Sequence, residues 1–221
     1  MRPGAVAPAD ARVALTGGAC HSPPMLRWGA AAYALLGVLA LLVATFWRGG
    51  SPLLHPQPWL VLETSARHVY SGLWGLAFGA LLVVCTRVAV ARFGWARELH
   101  AALRPFASGM SLGSILVIAA LSAFGEEMLF RGLLTPAIGV VPQALIFGAA
   151  HQIPGRSRWV WVLWATVVGL ALGAMYQLSG SLIGPLVAHA LVNALNLSYL
   201  KSHDPSPRHA LGGLLGQQPN H

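Results

Sequence analysis

The chain has 221 residues, of which 56% are hydrophobic and only 9% carry a charge, and its mean hydropathy is +0.63. A soluble domain of this length needs far less apolar surface to fill one core, so the composition excludes an ordinary soluble protein and predicts an integral membrane protein. The formal net charge of +8 would suit nucleic acid, but the basic residues lie between apolar runs, which argues against that partner.

The apolar runs, and the Gly and Pro breaks between them, predict an all-α polytopic bundle, because a helix needs about 20 apolar residues to cross the hydrocarbon core. Six spans are expected near 28–47, 69–88, 109–134, 142–153, 158–178 and 181–200. A short interfacial helix is predicted over 91–103. The chain is accordingly divided into a flexible tail (1–26), two helices with the interfacial segment (27–108), a helical core (109–200) and a second flexible tail (201–221).

Basic residues are unevenly distributed between the two sides of this bundle. When loops are assigned alternately, one side receives only Arg48 and Arg67. The side with both termini receives nearly all the others, namely Arg2, Arg12, Arg27, Arg87, Arg92, Arg97, Arg104, Arg156, Arg158, Lys201 and Arg208. Positively charged loops stay in the cytoplasm, so both termini are predicted to be cytoplasmic, with the protein in a bacterial cytoplasmic membrane.

Three charges stand inside the third predicted span, at Glu126, Glu127 and Arg131. A charge at the bilayer centre costs about 2.5–3.5 kcal/mol, so an ion retained there is paired or functional. Glu127 and Arg131 are four residues apart, which places them on one helical face as an ion pair. Glu126 lies about 100° around the helix and has no local cation, so it is the carboxylate predicted to act.

Polar residues also occur in two later spans, as His151, His189 and Asn193. The spacing of four puts His189 and Asn193 on one helical face. At 1.5 Å per residue, Glu126, His151 and His189 each lie about 12–13 Å from the nearest predicted helix break. If their helices are neighbours, the three side chains lie in one plane parallel to the membrane.

Hydrolysis is the chemistry that suits this cluster, and two versions of it stay open. A carboxylate desolvated in a membrane cavity is a competent base towards water, a neighbouring imidazole shares the proton, and His189 and Asn193 donate to the oxyanion. Alternatively, Glu126, His151 and His189 are the ligand set of a catalytic zinc or another divalent metal ion. Each version needs the same residues in the same place.

On these residues the chain resembles the CAAX-protease and bacteriocin-processing family of intramembrane endopeptidases, also called the Abi family. The resemblance covers 109–200 and rests on three motifs in order. They are Glu-Glu-x-x-x-Arg at Glu126, Glu127 and Arg131, Phe-x-x-x-His at Phe147 and His151, and His-x-x-x-Asn at His189 and Asn193.

The resemblance implies a membrane endopeptidase whose catalytic core is 109–200. The residue matching Glu126 activates water with that matching His151, those matching His189 and Asn193 stabilise the oxyanion, and those matching Glu127 and Arg131 complete the site. Both metal-dependent and metal-free mechanisms are associated with the family. The implied partners are membrane lipid and a membrane-associated peptide or protein substrate, with no nucleic acid.

Other functions are weighed against this interpretation. A proton-coupled transporter also uses intramembrane Glu and His, but no discontinuous repeats are evident. A silent immunity or scaffold protein would be expected to lack a motif residue. The Gly-x-Ser-x-Gly match at 109–113 opens a membrane helix, whereas a serine-hydrolase elbow needs a strand. The breaks at 135–141 and 179–181 carry no Lys or Arg, so the catalytic plane is expected nearer the outer face, with exported or membrane-anchored substrates.

Overall fold

A computed structural model describes residues 24–205 as a bundle of helices. Strand-like pairing within this range is limited to an isolated bridge between Leu54 and Ser181. The first helix begins at Pro24 and the last ends at Ser202. The predicted tails, 1–26 and 201–221, lie largely outside the described residues, and the predicted division of the chain stays a prediction.

The helices are, in chain order, α1 (Pro24–Arg48), α2 (Thr64–Arg92), α3 (Gly94–Ser108), α4 (Leu112–Glu127), α5 (Thr135–Ile138), α6 (Val140–Ala150), α7 (Arg158–Ser179) and α8 (Ile183–Ser202). A π-helical segment, Met128–Leu134, joins α4 to α5. The Gly-x-Ser-x-Gly match lies at the start of α4, where Ser111 is the N-cap and accepts from the Ser114 amide. That serine therefore caps a helix.

Five segments of 20 to 29 residues are long and apolar enough to cross a membrane: α1, α2, α4 continued through α5, α7 and α8. Large apolar side chains on their outer faces, such as Leu39, Leu73 and Leu163, are exposed, as expected where the solvent is lipid. The predicted all-α polytopic membrane bundle is confirmed. The fourth predicted span corresponds to α6, whose 11 residues extend only about 16 Å.

The predicted interfacial segment forms α3, an amphipathic helix that follows α2 after one residue. Ala96 and His100 are buried on its inner side, whereas Arg97 and Glu98 are exposed. The His100 ring bonds through Nε2 to the His203 carbonyl at 3.0 Å. This contact holds α3 across the end of α8.

The helix that carries Glu126 and Glu127 leaves the regular α pattern directly after them. Pro136 has no N–H to donate to the Gly132 carbonyl four residues earlier, and Arg48 Nη1 donates to that carbonyl at 2.8 Å. The Thr135 hydroxyl donates to the Phe130 carbonyl at 2.9 Å. A π-helical turn in a long helix is frequently found at a functional site.

Small residues bring α2 and α8 into backbone contact. A Cβ on Gly75 would overlap the backbone of Gly184, and a Cβ on Gly79 would lie 3.1 Å from the Ala188 Cα. Close approach through small residues is the usual way in which membrane helices pack, because lipid provides no hydrophobic force between them. Since α8 carries His189 and Asn193, this contact sets the position of both side chains.

Gly75→Ala is expected to destabilise the protein by about 1–3 kcal/mol, because the added methyl meets backbone that cannot rotate away. Gly29→Ala in α1 is the matched control, since its Cβ position meets no neighbouring element within 4 Å in the described part of the chain. The control should gain up to about 1 kcal/mol from helix propensity. Thermal unfolding in detergent compares the two variants, and equal midpoints would contradict the packing argument.

Candidate active site

Glu127 lies at the centre of a buried charged network. Its Oε1 accepts from Arg131 Nη1 at 2.8 Å, and both side chains are fully buried. The same oxygen lies 2.6 Å from His189 Nδ1. Because this oxygen also accepts from Arg131, the histidine nitrogen is the donor. This bond fixes the His189 ring and turns its Nε2 towards Glu126.

Glu126 faces two imidazole nitrogens with one carboxylate oxygen. Its Oε2 lies 3.7 Å from His151 Nε2 and 3.8 Å from His189 Nε2. That oxygen is buried and has no direct hydrogen-bond partner within residues 24–205. Both separations exceed a hydrogen bond and match a geometry in which one small ligand contacts all three atoms.

His151 is held by its own helix and by aromatic neighbours. It directly follows α6, and its Nδ1 lies 2.7 Å from the Phe147 carbonyl. A carbonyl can only accept, so Nδ1 carries the proton and Nε2 is the basic nitrogen. The ring packs 4.4 Å from the Phe147 ring and 5.8 Å from Trp161, measured between centroids. Phe147, four residues before His151, therefore provides both the carbonyl that holds Nδ1 and a ring that packs against the imidazole.

Asn193 is positioned by Ser122, which the sequence analysis did not include in the site. Asn193 Nδ2 donates to the Ser122 hydroxyl at 3.0 Å. Ser122 lies four residues before Glu126 and lines the same cavity. That spacing was the available signal, because a hydroxyl one turn away on the same face meets the same neighbours.

Gln143 is a second residue that the sequence analysis missed. Its Nε2 donates to the Gly169 carbonyl at 3.1 Å, and Arg131 Nη2 donates to the same carbonyl at 3.3 Å. The Arg131 guanidinium also lies 4.5 Å from the centre of the Phe147 ring. Gln143 precedes Phe147 by four residues, so one face of α6 contacts the network around Arg131 and also leads to His151.

A single cavity of about 410 Å³ connects the predicted site residues with the far end of the bundle. Its wall includes four of the predicted site residues, namely Glu126, His151, His189 and Asn193. It continues along α3 and the ends of α2 and α8, where Arg87, Trp95 and Tyr199 line it. The cavity thus runs towards the end of the bundle that is rich in arginine.

This direction differs from the expected outer-face site. At the other end, the loop 49–63 packs over the bundle. The Tyr176 hydroxyl donates to the Pro52 carbonyl at 2.8 Å, and the Leu182 amide donates to the Leu53 carbonyl at 2.9 Å. Glu126 is nearer to that end along its helix. Because the loop covers that end, the cavity extends the opposite way.

The predicted metal ligands, Glu126, His151 and His189, meet around one carboxylate oxygen. Among residues 24–205, no group of three His, Cys, Asp or Glu side chains is arranged to hold a metal ion. The donor types of Glu126, His151 and His189 suit zinc. The metal-dependent and the metal-free versions of the hydrolysis therefore both stay predictions.

The segment of this chain that matches a known protein family includes all six predicted site residues. Residues 108–195 match the family model described as type II CAAX prenyl endopeptidase Rce1-like. The uncharacterized protein YpbD of Bacillus subtilis is 39% identical over 88 residues, which are 40% of this chain and 46% of YpbD. The match therefore spans about half of the length of that relative. No solved structure matches the chain. The resemblance found in the sequence is confirmed for this segment, because residues 108–195 match the model of the Rce1-like family.

Proposed function

We propose that this protein is an intramembrane endopeptidase that hydrolyses a peptide bond of a membrane-associated peptide or protein with a water activated by Glu126 and His151. The observation that carries the proposal is the buried Glu126 Oε2, which faces His151 Nε2 at 3.7 Å and His189 Nε2 at 3.8 Å. A water bridging these atoms would be held beside a base, which is the requirement for nucleophilic attack by water.

In the proposed reaction, Glu126 removes a proton from the water while the water oxygen bonds to the carbonyl carbon of the substrate. The carbonyl π electrons move onto the carbonyl oxygen. His151 Nε2 accepts a hydrogen bond from the water and orients it, because Nδ1 is committed to the Phe147 carbonyl at 2.7 Å. When the intermediate collapses, the C–N bond breaks and the proton held by Glu126 passes to the leaving nitrogen.

The oxyanion is assigned to His189 and Asn193. His189 Nε2 can donate only when the ring carries both protons, and Glu127 at 2.6 Å stabilises that charged form. Asn193 uses one amide proton on Ser122 at 3.0 Å, which leaves the second for the substrate oxygen. Preorganised donors of this kind typically contribute about 10²–10³-fold to rate.

The function is tested by incubating the full-length protein in detergent with a library of free and lipidated peptides and identifying the products by mass spectrometry. Cleavage at defined bonds is expected. An absence of products would favour the alternatives, a non-catalytic immunity or scaffold protein or a proton-coupled transporter. Metal analysis of the same sample, with and without a chelator, distinguishes the mechanisms. Stoichiometric zinc and loss of cleavage on chelation would replace the metal-free reaction by a metal-dependent one.

We also propose that both termini are cytoplasmic and that the cavity opens towards the cytoplasmic side of a bacterial membrane. The support is the arginine-rich end towards which the cavity runs. Single cysteines at Ala137 and Arg156, both exposed, test this in a background without Cys20 and Cys85. An impermeant thiol reagent added outside cells should label position 137 alone. Labelling of position 156 alone would reverse the topology.

A further inference from the structure

The first helix contributes a side chain to the candidate active site, although it lies outside the segment that matches the family. One stripe of α1 faces α4 and consists of Tyr33, Gly37, Ala40 and Ala44, at spacings of three and four. Ala40 and Ala44 are buried. A Cβ on Gly125 would lie 2.6 Å from the Tyr33 carbonyl oxygen. The backbones of the two helices are thus in contact one residue before Glu126.

Tyr33 extends from this contact into the cavity. It is half-buried and lines the same cavity as Glu126 and His151. Its ring and the Glu126 carboxylate thus border one space, beside the contact between the backbones of α1 and α4. The two histidines approach that carboxylate from α6 and α8, so the phenol adds a third protein group from a third side.

We infer that Tyr33 is a positioning residue, whose hydroxyl donates a hydrogen bond to the Glu126 carboxylate and holds Oε2 towards the two histidine nitrogens. This inference rests on the proposed function for its catalytic consequence, but the contact itself does not. A carboxylate on a long side chain otherwise rotates about its terminal torsion, which is broad and roughly two-fold. A donor on one side selects one rotation, and a buried carboxylate needs such a partner.

Tyr33→Phe tests the role, because it removes the hydroxyl and keeps the ring that lines the cavity. The probe is a peptide that the wild-type protein cleaves in the library experiment. The expected result is a kcat lower by about 10- to 100-fold, the range for a lost hydrogen bond to a charged group. KM and the melting temperature should stay within error of wild type. Tyr70→Phe is the matched control, since Tyr70 lies on α2 and is 45% exposed.

An unchanged kcat would overturn the inference. A lower melting temperature with kcat and KM changed together would also overturn it, because that pattern indicates a structural role. Wild-type cleavage in the same assay shows that the proposed function itself holds in either case.

A second measurement tests the contact without any proteolysis. The chain has four tyrosines, so 3-fluorotyrosine labelling gives four fluorine resonances, and Tyr33→Phe identifies the one from position 33. That resonance should move in Glu126→Gln and stay unmoved in Glu63→Gln. A resonance that ignores Glu126→Gln would overturn the inference and leave the proposed function untouched. If the resonance moves but wild type cleaves no peptide, the proposed function and the catalytic role of Tyr33 fail together, while the contact stands.

Discussion

Glu126→Gln is expected to lower kcat by about 10²–10⁴-fold, the contribution of a positioned general base, while the protein stays folded. The amide has nearly the same shape as the carboxylate but cannot accept the proton of the attacking water. The buried pair of Glu127 and Arg131, at 2.8 Å, stays intact. Initial rates of peptide cleavage and thermal unfolding of the same preparation measure the two effects separately.

Glu98→Gln is the matched control for this substitution. Glu98 lies on α3 and is exposed, so its neutralisation should change neither rate nor stability. Retention of more than a tenth of wild-type activity in Glu126→Gln would remove Glu126 from the role of base. The same loss in both variants would point to a global effect of charge rather than to the site.

Local spacing predicted the contacts that lie within one helix. Glu127 and Arg131 pair at 2.8 Å, as the separation of four residues requires, even though the helix is π-helical immediately after Glu127. The depth argument placed Glu126, His151 and His189 in one plane, and the structure brings them around one carboxylate oxygen. The catalytic roles of these residues stay predictions.

Contacts that depend on tertiary packing could not be predicted from the sequence. Tyr33 and Glu126 line one cavity because α1 and α4 touch at Gly125, and no local pattern links positions so far apart. The direction of the cavity could not be predicted either, since it depends on how the loop 49–63 packs over one end through Pro52 and Leu53. Charge distribution predicts which ends of the helices face the cytoplasm, but it carries no information about which end a loop covers.

Glu127→Gln is expected to destabilise the protein by about 3–5 kcal/mol, the usual effect of leaving one member of a buried ion pair without its partner. Arg131 is fully buried and would keep its charge. The His189 ring would also face a neutral amide in place of the carboxylate that lies 2.6 Å from Nδ1. Thermal unfolding in detergent should therefore show a large decrease in melting temperature for Glu127→Gln and a small one for Glu126→Gln.

The double substitution Glu127→Leu with Arg131→Met separates stability from catalysis. Replacing both members of a buried ion pair by apolar residues of similar volume is often neutral or stabilising, so the double variant should melt well above Glu127→Gln. It should still cleave poorly, because His189 has no carboxylate to stabilise its charged form or to hold its ring in place beside Glu126. Recovery of both stability and activity would show that the pair serves only to fold the protein. A double variant as unstable as Glu127→Gln would mean that the bonds of Glu127 to His189 and of Arg131 to the Gly169 carbonyl, rather than the unpaired charge, account for the loss.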